Sequence, residues 1–309
     1  MLPQTILYSK QIHFVERILK DILSRIISGN IFCYFCAIQT IPTRMKTLKL
    51  LALSLLISGA AVAQKGLHLS ARLMPQGTLI INSDDMGADD RLNYVAPNFG
   101  FAFGVGVGYH FNDNLGVETG FMYSGQKQKY KGEDKQTGIT TTNEWTTSLN
   151  YIKIPVLFAF NSNPDNNVIF HGFVGPQFGI LAGGKVEGTT TSKTAVSTTQ
   201  SSYSLEGSTG KEGSATYELS DKAFNSTDFG IAFGLGPSFK IGDNMQISAT
   251  LRFDYSFSDH ENKDATLKGT NVKYWESARK ATYNKDNASA ASNNATVGLM
   301  LGFTYILGQ

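Results

Sequence analysis

The chain has 309 residues, 31 glycines, 20 phenylalanines and 13 tyrosines, and a formal net charge of +2. That near-neutral balance argues against a nucleic-acid binder with a broad basic face. The glycine and aromatic content points to strands and turns rather than helices.

The first structural signal is an export leader. Met45-Lys46-Thr47-Leu48-Lys49 is a short basic segment, Leu50–Val62 is an apolar run, and Ala61-Val62-Ala63 fits a signal-peptidase site. The apolar run is shorter than the roughly 20 residues a spanning helix needs. Gln64, not cysteine, follows the site, so no lipoprotein anchor is expected. Residues 1–44 then read as an upstream extension ahead of the true start at Met45, residues 45–63 as the signal peptide, and residues 64–309 as the mature domain. Residues 1–63 hold seven of the basic and two of the acidic side chains, so the remainder carries twenty against twenty-three, a net of −3. They also hold both cysteines, Cys33 and Cys36, whose C-x-x-C spacing has no second pair to complete a zinc site.

The mature segment is governed by period-two alternation. Gly66–Pro75 opens it, with Leu67, Leu69, Ala71 and Leu73 on one face; Arg72 interrupts the pattern, making this the weakest strand. Phe99–Phe111 is the clearest. Phe99, Phe101, Phe103, Val105, Val107, Tyr109 and Phe111 share one face, and Gly100, Ala102, Gly104, Gly106, Gly108 and His110 share the other. A soluble sandwich strand carries polar side chains on its second face. Small residues there indicate a narrow, crowded interior.

Asn112-Asp113-Asn114 forms a tight turn. The next strand places Leu115, Val117, Phe121 and Tyr123 outward with Thr119, against Gly116, Glu118, Gly120, Ser124 and Gln126. Ser148–Phe160 places Ile152, Ile154, Val156, Phe158 and Phe160 outward, with Tyr151 and Lys153 opposite. Val168–Ala182 sets Phe170, Val174, Phe178 and Ile180 against His171, Gly175, Gln177 and Gly179. Asp228–Ile241, Met245–Phe257 and Ala295–Leu307 repeat the design, with Arg252 and Asp254 inward.

Connections 112–114, 161–167 and 242–244 are short, whereas 76–97, 130–147, 183–227 and 258–294 are long. That asymmetry characterises transmembrane barrels. An open sheet edge in lipid leaves backbone groups without partners, so eight such strands must close. The expected fold is all-β: a single eight-stranded antiparallel up-and-down transmembrane β-barrel with short periplasmic turns and long extracellular loops. Its expected location is the outer membrane.

Gly104-Val105-Gly106-Val107-Gly108-Tyr109-His110-Phe111 and Leu115-Gly116-Val117-Glu118-Thr119-Gly120-Phe121-Met122-Tyr123-Ser124, with Tyr151-Ile152-Lys153-Ile154-Pro155 and Asp228-Phe229-Gly230, resemble the Bacteroidota-type outer-membrane β-barrel domain family, the PorT-like group. The resemblance covers essentially the whole mature segment and implies the barrel fold rather than a particular activity. Lys153 departs from it, standing where such chains often have an acidic residue before Ile-Pro.

Gly104-x-Gly106-x-Gly108 is not a phosphate loop, because no Gly-Lys-Ser/Thr follows and no helix opens there. The inward ionisable side chains His110, Glu118, Lys153, His171, Asp228, Lys240, Arg252 and Asp254 form the candidate lumen cluster. Both signs are present, so they suit a plug of mutually neutralising groups, or a proton or ion path. An eight-stranded barrel is just wide enough for side chains to fill it, which favours the plug. Asp84-Asp85, Asp89-Asp90 and Asp259-His260-Glu261 lie in the long loops, without a readable nucleophile–base–orienter set or metal-ligand spacing. Residues 189–209 contain thirteen Ser or Thr among twenty-one, as a solvated segment or a β-ribbon rising above the membrane would.

The expected role is non-enzymatic: structural, or a surface interaction through the loops. A narrow channel and an outer-membrane enzyme (protease or lipid A modifier) are the alternatives. No cofactor, metal or nucleic acid is expected. The expected partners are outer-membrane lipid, the barrel-assembly machinery during biogenesis, and an extracellular or envelope partner.

Overall fold

The structure, a computed structural model, describes residues 66–82, 93–95, 98–162, 167–276, 278 and 290–307. The proposed upstream extension and signal peptide lie outside them, as do Asp84, Asp85, Asp89 and Asp90.

Among the described residues twelve strands are formed. They are β1 (Leu67–Ile81), β2 (Asn93–Val95), β3 (Phe99–His110), β4 (Leu115–Gln136), β5 (Ile139–Asn161), β6 (Val168–Thr194), β7 (Thr198–Glu206), β8 (Thr209–Glu212), β9 (Ala215–Glu218), β10 (Thr227–Ile241), β11 (Met245–Ser256) and β12 (Asn293–Leu307). Eight of them close a ring in the order β1, β3, β4, β5, β6, β10, β11, β12, each antiparallel to its neighbours. The last strand returns to the first through pairs running from Leu67↔Leu307 to Ile81↔Asn293. Closure satisfies the backbone groups that an open edge would strand in lipid.

Residues 130–147 do not form the long loop that the fading apolar alternation suggested. β4 and β5 continue outward as a paired hairpin, Gln136↔Ile139 being its last pair. The turn contains Gly138 at φ +79°, a left-handed backbone that a side chain would strain. Residues 183–227 are likewise ordered: β6 runs on to Thr194 and is followed by the β7–β8–β9 meander. β1 also continues past Pro75, to Ile81.

The outer face carries the apolar belt. Val105, Phe121, Phe158, Phe233, Leu251 and Leu301 are exposed large hydrophobics spread around the ring. On β4 the belt runs from Leu115 to Tyr123, close to the roughly 9–11 residues with which a tilted strand crosses the hydrocarbon layer. Leu251 lies near mid-height, between Leu235 and Leu299. Leu251→Arg should therefore destabilise the folded barrel by about 2–4 kcal/mol, whereas Thr227→Arg at the rim should cost about 0–1. Urea titration of folding into lipid vesicles reads both; equal effects would mean that the belt does not face hydrocarbon.

Candidate functional site in the barrel lumen

The inner face is built in layers. The first, at the short-turn end, is a hollow of about 690 Å³ whose walls include His68, Arg72, His110, Glu118 and His171. The Glu118 carboxylate accepts from the Arg72 guanidinium and lies 3.4 Å from His68 Nε2. The His68 and His110 rings are 4.8 Å apart, and Asn161 Nδ2 donates to His110 Nε2 at 2.9 Å. His171 Nε2 is 2.7 Å from Thr250 Oγ1. Lys240 lines the same mouth.

Above the vestibule the lumen is apolar. Met74, Met122, Leu157, Phe173 and Met300, with Ala102 and Ala232, form a buried cluster across the bore. The Phe173 ring occupies the space that a side chain at Gly234 would need. The bare Gly234 thus makes room for the ring of its cross-strand neighbour on β6, and so lets Phe173 lie within the buried cluster.

The next layer is ionic. Lys153 Nζ donates to Asp254 Oδ2 at 2.9 Å, and Arg252 Nε donates to Asp254 Oδ1 at 2.8 Å. Arg252 Nη2 donates to Gln177 Oε1 at 2.6 Å, and its guanidinium lies 5.6 Å from the centre of the Phe173 ring. Arg252 is fully buried, and Lys153 and Asp254 nearly so. Such charges are tolerable only when paired and hydrogen-bonded. Asp228 accepts from Ser256 Oγ nearer the extracellular end.

A cap closes that end. Ile80, Leu149, Tyr151, Val186, Leu205, Leu219, Ala223, Phe224 and Ala265 form its buried core, with Trp145, Tyr203, Tyr274 and Trp275 packed against it. Trp275 Nε1 donates to the Ala223 carbonyl at 2.8 Å. Burial pushes the Tyr203 and Tyr274 phenols above their ordinary pKa. His260 belongs to this packing. Its ring stacks on Phe224 and its Nδ1 donates to the Ser292 carbonyl at 2.6 Å, while Asp259 accepts from the Ser292 and Glu261 amides. The Asp259-His260-Glu261 set is therefore a fastening of the cap.

The expected cluster is thus divided in two. His110, Glu118 and His171 belong to the vestibule. Lys153, Arg252 and Asp254 meet above the apolar layer, with Asp228 beyond them. Sequence reasoning missed His68 and Arg72, although both lie on the even, inward side of the β1 alternation. It also missed Phe173, an inward aromatic on a face expected to be small. Among the described residues no group of three or more His, Cys, Asp or Glu side chains is placed to hold a metal.

Comparison with solved structures gives similar chains of low identity. Neisserial surface protein A is 12% identical, with 78% of this chain and 97% of that chain covered and a TM-score of 0.35. The attachment invasion locus protein Ail of Yersinia pestis is 12% identical, with 78% and 100% covered and a TM-score of 0.27. OprG of Pseudomonas aeruginosa is 12% identical, with 78% and 96% covered and a TM-score of 0.32. No curated protein matches. The sequence pattern of the outer membrane protein β-barrel domain matches residues 63–262, about two thirds of the chain, and the chain belongs to that outer-membrane family.

Proposed function

We propose that this protein is a closed, non-enzymatic barrel whose role is structural or is exercised through its extracellular strands. The supporting observation is the continuous filling of the lumen: Met74, Met122, Leu157, Phe173 and Met300 across the bore, then the Lys153–Asp254–Arg252–Gln177 network, then the cap. The absence of catalysis is part of the proposal; the fastening of His260 inside the cap supports it. Within the family we place the chain in the Bacteroidota-type, PorT-like group, on the Gly104–Phe111 and Leu115–Ser124 segments. We also propose export by a leader cleaved after Ala63, assembly by the barrel-insertion machinery, and an extracellular or envelope partner reached through β4–β9.

The vestibule favours a second reading, a narrow channel, because it carries water-accessible space inward as far as Phe173. Planar-bilayer recording separates the two. The closed barrel should give a silent baseline after insertion, and discrete current steps would replace it with the channel.

A further inference from the structure

The outer face above the belt holds a polar trough that adjoins an apolar groove at β4 and β5. In register, Lys129, Thr146, Glu187, Ser204 and Lys211 lie side by side across β4 to β8, on the side that continues the lipid-facing surface. They line a hollow of about 830 Å³ together with Lys131, Glu144, Thr189 and Ser202. Its two carboxylates are already paired: Glu144 with Lys131 and Glu187 with Lys185, each at 2.7 Å. Lys129 and Lys211, one at each end of the row, are exposed and form no ion pair among the described residues. Lys127, also exposed and outward, adds to the positive side; Glu206, opposite Lys185, and Glu133, paired with Lys135 beyond Lys131, are further acids of this face. The lysines outnumber the glutamates, and hydroxyls make up the floor.

Further down β4 and β5, beyond Gly125 and Asn150, the same face becomes apolar. A groove of about 730 Å³, lined almost wholly by hydrocarbon, starts there at Tyr123 and Ile152 and runs across β3, β1 and β12, past Phe103, Leu73 and Phe303, to Ile247 on β11. Tyr123 stands at the top of the belt, where aromatics mark the interface. The trough therefore lies above the belt and the groove at acyl-chain level, the two meeting at β4 and β5.

We infer that this face binds a phosphorylated glycolipid of the outer leaflet, with sugar and phosphates in the trough and an acyl chain in the groove. Lysine ammonium groups are point-charge phosphate donors, and threonine and serine hydroxyls exchange hydrogen bonds with sugar hydroxyls. Continuity with the bilayer surface selects a lipid rather than a soluble sugar phosphate as the occupant. The inference goes beyond the closed-barrel reading and is independent of whether the lumen conducts.

Native mass spectrometry of the detergent-solubilised full chain tests it, with diphosphorylated lipid A, dephosphorylated lipid A and phosphatidylglycerol as separate probes. Diphosphorylated lipid A should be retained in preference to both others. Lys129→Gln with Lys211→Gln should weaken that retention by roughly thirtyfold, from about fivefold per lysine near a charged membrane surface. Lys193→Gln with Lys222→Gln, exposed lysines outside the trough, should leave it unchanged. Equal retention of phosphatidylglycerol or of the dephosphorylated lipid would overturn the assignment, as would undiminished retention by the trough variant. Should that variant fail to show heat-modifiable migration, the selectivity of the unaltered protein among the three lipids decides alone.

Discussion

Asp254→Asn is expected to destabilise the barrel by about 3–5 kcal/mol, because it leaves two buried cations without their common counter-charge. Asp254 accepts from Lys153 on one oxygen and from Arg252 on the other, and Thr296 Oγ1 adds a longer contact at 3.4 Å. Asparagine keeps the shape and one acceptor but turns the other oxygen into a donor facing an ammonium or a guanidinium. Neither Lys153 nor Arg252 has water to turn to, since both are at most 2% exposed. The same physics predicts recovery when the charges leave together. Lys153→Met, Arg252→Met and Asp254→Leu combined should regain most of the loss, because an apolar replacement of a buried ionic set is often neutral or stabilising. Urea midpoints for folding into vesicles measure both variants. A small loss in Asp254→Asn, or a triple variant weaker than the single one, would mean that water reaches this layer and that the lumen is open there.

The outward face of the ring was legible because alternation is a local property of each strand. The contacts inside it were not. Lys153 and Asp254 are 101 residues apart, on strands separated in the ring by β6 and β10. Their meeting depends on strand tilt and stagger, which closure sets and no single strand encodes. The inward side of Lys153, Arg252 and Asp254 could be read; their joining in one network, with Glu118 held apart by Arg72, could not.

The extracellular strands were obscured for a different reason. Residues 139–147 and 189–194 are rich in threonine and lack alternating hydrophobics, which resembles a solvated loop. Threonine is nonetheless a strand former, and cross-strand hydroxyl pairs support the sheet. Thr190 Oγ1 donates to Asn143 Oδ1 at 2.7 Å, and Thr141 and Ser192 hydroxyls lie 3.3 Å apart. Pairing with neighbours on both sides, rather than burial of an apolar face, orders this part of β5 and β6.

The plug itself offers the second large effect, through the fit of Phe173 against Gly234. A Cβ at Gly234 would meet the far edge of the Phe173 ring, and that ring is buried among Met74, Met122, Leu157 and Met300. Gly234→Val should therefore destabilise the barrel by about 1–3 kcal/mol through overpacking. Phe173→Ala should cost about 3–5 kcal/mol by leaving a cavity. The two are in contact, so their effects should not add. In Gly234→Val with Phe173→Ala, the valine enters the space the ring vacates, and the pair should be more stable than the sum of the single losses predicts. Phe173→Ala alone also removes the ring between the vestibule and Arg252. The ionic layer and the cap remain above it, so the single and double variants should stay as silent in a planar bilayer as the unaltered barrel. Strict additivity of the stabilities would show that the ring does not pack on Gly234, and current from Phe173→Ala would show that the layers above it do not seal the lumen.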